Sequence, residues 1–86
     1  MKNKDKKMTE AMVVLAGDSA AVAAVASHLA LRGPSAEDLS TLTGALGDVL
    51  CMIRYLVHHG YLSQDQLEEA LLSKEHKLKY WSTLYE

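Results

Sequence analysis

The chain has 86 residues, 49% of them apolar, with no Phe, one Pro, five Gly, one Cys and a formal net charge of −2. That length suffices for one domain and no more, and a domain this small buries only roughly 60–65% of its unfolded surface, so it is marginally stable alone and self-association is a common remedy. Charge is uneven: seven lysines crowd the two ends, while between residues 8 and 73 only Arg32 and Arg54 stand against eight carboxylates, an acidic body that argues against a nucleic-acid groove.

No β-branched run alternates, so an all-α fold is expected: a small bundle of three to four helices, completed by oligomerisation. Residues 1–7, with Lys2, Lys4, Lys6 and Lys7, read as a disordered basic tail ahead of a single helical domain over residues 8–86. Thr9 suits the cap of a short helix over 9–16, and Gly17 can end it. Asp18 or Ser19 then opens a second helix over 19–32, with one bent helix as the competing possibility. This segment is rich in alanine and carries Val22, Val25 and Leu29 as a stripe. Its small side chains, with Gly44 and Gly47 further on, predict close helix–helix packing.

Gly33-Pro34 is a break, and Ser35 with Asp38 forms a Ser-x-x-acid capping pattern. The central helix follows over 36–59. At a period of 3.6 residues, Leu39, Leu42, Leu46, Leu50, Ile53 and Val57 share one side and are expected to be its core stripe. The other side carries Ala45, Asp48, Cys51, Met52, Tyr55 and His59. It is too apolar for a solvent face, so the helix is expected to be gripped from both sides. Ala45, Cys51, Met52, Tyr55 and His59, with Trp81, are the candidate oligomer or partner interface. After Gly60, Ser63 opens a last helix over 64–85, with Leu67, Leu71, Leu78, Trp81 and Tyr85 as its stripe.

Asp48 is the one carboxylate in the middle of the central helix. It reads as a partly exposed helical acid or as a ligand for a hard cation, which needs further acids beside it. Cys51 and His58 share a face, but zinc wants four ligands, or three plus water, and no second pair follows. His28, His59 and His76 are scattered. No nucleophile–His arrangement and no Gly-rich phosphate loop is present. A lone cysteine excludes an internal disulfide and makes a reducing, cytoplasmic setting the default. The apolar run AMVVLAG is bounded by Glu10 and Asp18, no stretch is expected to reach the length of a membrane span, and no membrane association is expected.

The stretch LGDVL (residues 46–50), its continuation CMIRYLVHHGYL and the following SQDQLEEALLSKEHKLKYW resemble the MazG-like, all-α nucleoside triphosphate pyrophosphohydrolases over roughly residues 39–81. The resemblance implies a bundle completed by dimerisation. It also implies Mg²⁺ held by a Glu-x-x-Glu on one helix and a Glu-x-x-Asp on the next, and cleavage between the α and β phosphates. Asp48 matches the Asp, but Ala45 stands where the Glu belongs, and the Ala-rich helix has no acid in its interior. Lys74 falls where the family often places a phosphate-facing lysine. With so few acids the resemblance implies a catalytically degenerate protein that binds a nucleotide or a partner protein as a homodimer or tetramer. The alternatives are an active, divergent Mg²⁺-dependent pyrophosphohydrolase, and an accessory or inhibitor protein from a mobile element that binds a host protein.

Overall fold

The structure, a computed structural model, describes the backbone of residues 3–86 and the side chains of residues 6–86. Three helices follow one another: α1 (Asn3–Arg32), α2 (Ala36–His58) and α3 (Gln64–Trp81), with no strand among the described residues. The all-α class expected from sequence is what the chain adopts.

Where two N-terminal helices over 9–16 and 19–32 are expected, α1 is a single helix of 30 residues. Gly17 lies within it and is not among the glycines with positive φ. One interior glycine costs about 1 kcal/mol relative to alanine. The alanines on its C-terminal side and a packing stripe continuous across it outweigh that cost. The helix also takes in residues 3–7, which the sequence assigns to a disordered tail. Residues 1 and 2 of that tail lie outside the described residues.

The chain divides into two compact units, Met1–Tyr55 and Leu56–Glu86. The first is an antiparallel hairpin of α1 and most of α2. Its turn is built as the residue types require. Gly33 adopts φ +84, a value that L side chains rarely take, and its N–H donates to the Leu29 carbonyl at 2.8 Å. Ser35 then caps α2, its Oγ accepting from the Asp38 N–H at 3.1 Å. Beside the turn, His28 Nε2 lies 3.4 Å from Asp38 Oδ2, tying the end of α1 to the start of α2.

The hairpin seam follows a heptad. On α1 the least exposed positions are Met8, Ala11, Leu15, Asp18, Val22, Val25 and Leu29, with Met12 beside them; on α2 they include Asp38, Leu42, Ala45, Val49 and Met52. Alternating steps of three and four residues are the signature of two helices packed at a shallow angle. The core is thin. Among the described residues the buried hydrophobics are Ala11, Ala45 and Leu56, at 5%, 9% and 2% exposure.

Two expectations are corrected here. The alanines of α1 do not line a close contact: Ala20, Ala21, Ala23, Ala24, Ala26 and Ala30 are exposed, and a Cβ placed on Gly44 or Gly47 would meet nothing within 4 Å. The expected core stripe of α2 holds only in part: Leu42 lies in the seam and Ile53 and Val57 are half-buried, but Leu39, Leu46 and Leu50 are 47%, 42% and 58% exposed, while Ala45, from the side expected to face a partner, is buried in the hairpin. The seam lies one residue back along the helix, a rotation of about 100°.

The second unit starts with the last turn of α2. Gly60, at φ +78, ends that helix in a Schellman arrangement, with Gly60 N–H donating to Val57 O at 3.0 Å and Tyr61 N–H to Leu56 O at 2.9 Å. Ser63 caps α3, its Oγ accepting from the Gln66 N–H at 3.3 Å. Where a helix over 64–85 is expected, α3 stops at Trp81. Both the N–H and the Oγ of Ser82 donate to the Leu78 carbonyl, at 3.0 and 2.7 Å, and the backbone turns extended at Ser82. A serine that satisfies its local backbone in this way competes with helix continuation. No residue of α3 is buried.

Candidate interaction surface

The sequence singles out Asp48 and Lys74 for ligand chemistry, and both side chains are exposed. Among the described residues no group of three or more His, Cys, Asp or Glu comes close enough to hold a metal ion. The donor set of one chain therefore does not fit Mg²⁺, which wants near-octahedral oxygen ligands from more than one carboxylate when it works on phosphates. Cys51 is a free, exposed thiol. The ring of His58 stacks edge-on against His59 at 5.0 Å.

The six candidate interface residues do not form one patch. Ala45 is buried, Met52 and Tyr55 are half-buried, and Cys51, His59 and Trp81 are exposed, Trp81 by 82%. Met52 and Tyr55 line a shallow cleft of about 250 Å³ with Lys7, Glu10, Ala11 and Val14 of α1. An apolar floor with one cation and one carboxylate at its rim can seat an aliphatic or aromatic group, and no Ser, Thr, Cys or His lines it.

The larger feature is apolar surface that the hairpin leaves uncovered. On α2, Leu39, Leu46 and Leu50 lie on one side, and Val13 on α1 is 68% exposed. Single exposed leucines are ordinary; three on one side of one helix form an exposed apolar stripe.

Helix length also changes what the chain could do at a membrane. Sequence predicts no stretch of spanning length, yet Lys6–Arg32 and Ala36–His58 contain 18-residue stretches with mean hydropathies of 1.6 and 1.2, and both helices are long and apolar enough to cross a membrane by length and composition. The difference arises because the run before Gly17 joins the alanine segment in one helix. Core helices of soluble proteins and signal sequences have the same length and composition, and both helices here carry interior charges: Asp18 on α1, Asp48 and Arg54 on α2.

Comparison with known proteins finds no family model, no curated protein and no solved structure that matches the chain.

Proposed function

We propose that the chain is the protomer of a homo-oligomeric helical assembly, a dimer or tetramer, that acts by binding a nucleotide or a partner protein in the manner of a MazG-like protein stripped of most of its acidic ligands. The support is the uncovered apolar surface of the first unit, where Leu39, Leu46 and Leu50 of α2 are 47%, 42% and 58% exposed and Val13 of α1 is 68% exposed. The order of helix, Gly60 turn and Lys74-bearing helix agrees with what the family resemblance implies, and a single exposed Asp48 favours binding over Mg²⁺-dependent cleavage.

A bilayer is the other environment that could cover two apolar helices. The turn at Gly33 would place both lysine-rich ends on one side, in line with the positive-inside rule. Asp48, with Arg54 six residues on, weighs against it: a charge near the bilayer centre costs roughly 2.5–3.5 kcal/mol even on insertion-based scales. A water-soluble assembly leaves those groups solvated at no such cost.

Sedimentation equilibrium of the purified chain at micromolar concentration is the test. A mass at least twice 9.4 kDa is expected. A mass of one chain overturns the assembly, and a chain that pellets with membranes and leaves them only with detergent favours the bilayer. Release of pyrophosphate from nucleoside triphosphates above the buffer rate would replace binding with catalysis.

A further inference from the structure

We draw no further inference here: the strongest candidate, the exposed stripe of Leu39, Leu46 and Leu50 on the outer side of α2, carries nothing, because nothing in the structure shows what covers it.

Discussion

The two sides of α2 are the instructive comparison. The inner side faces α1 with Ala45, Val49 and Met52; the outer side presents Leu39, Leu46 and Leu50 to solvent. The inner row also holds Leu42 and the outer row also holds Thr43, so the two rows differ less in residue type than in cover: α1 covers the inner row, and the outer leucines stay in contact with solvent.

The contrast between rows can be broken from either side. The largest effect is expected at Leu56, where the second unit begins. Leu56, 2% exposed, should cost about 2–5 kcal/mol when replaced by alanine, because its neighbours cannot close the space it leaves. Chemical denaturation should show that loss at every protein concentration. If Leu56→Ala is instead as stable as the unmodified chain, Leu56 is not a core residue. The smallest effect is expected at the hairpin end. The pair between His28 and Asp38 is partly exposed, with side chains at 44% and 29%, and such pairs are worth about 0–1 kcal/mol. His28→Ala should therefore move the denaturation midpoint little and leave the mass unchanged. A loss as large as that of Leu56→Ala would make this contact, not the apolar seam, the main fastening of the hairpin.

The turns are legible in the sequence because each depends on a few local groups. Gly33 with Pro34, Ser35 with Asp38, Gly60 and Ser63 all do what their chemistry predicts. The rows are not, because two heptad patterns offset by one residue coexist on α2, and hydrophobicity alone ranks the leucine row first. Only the packing against α1 decides which row turns inward. Gly17 misleads for a related reason: its local cost is small beside a seam that continues through it. The early end of α3 depends on a rotamer of Ser82, which no periodicity reveals. For the site, the sequence identifies Asp48 as a solitary acid, and the single chain brings no set of metal-binding side chains around it among the described residues. The candidate interface residues scatter because the side of α2 that carries most of them includes the hairpin seam.

The proposed self-association is tested most directly by the melting temperature over a 100-fold range of protein concentration. Association that accompanies folding makes the melting temperature rise with concentration, here by at least about 5 °C. A melting temperature that is the same at every concentration, with a single sharp transition at the lowest, would mean that the protomer is stable with its leucines in water, and would contradict the account.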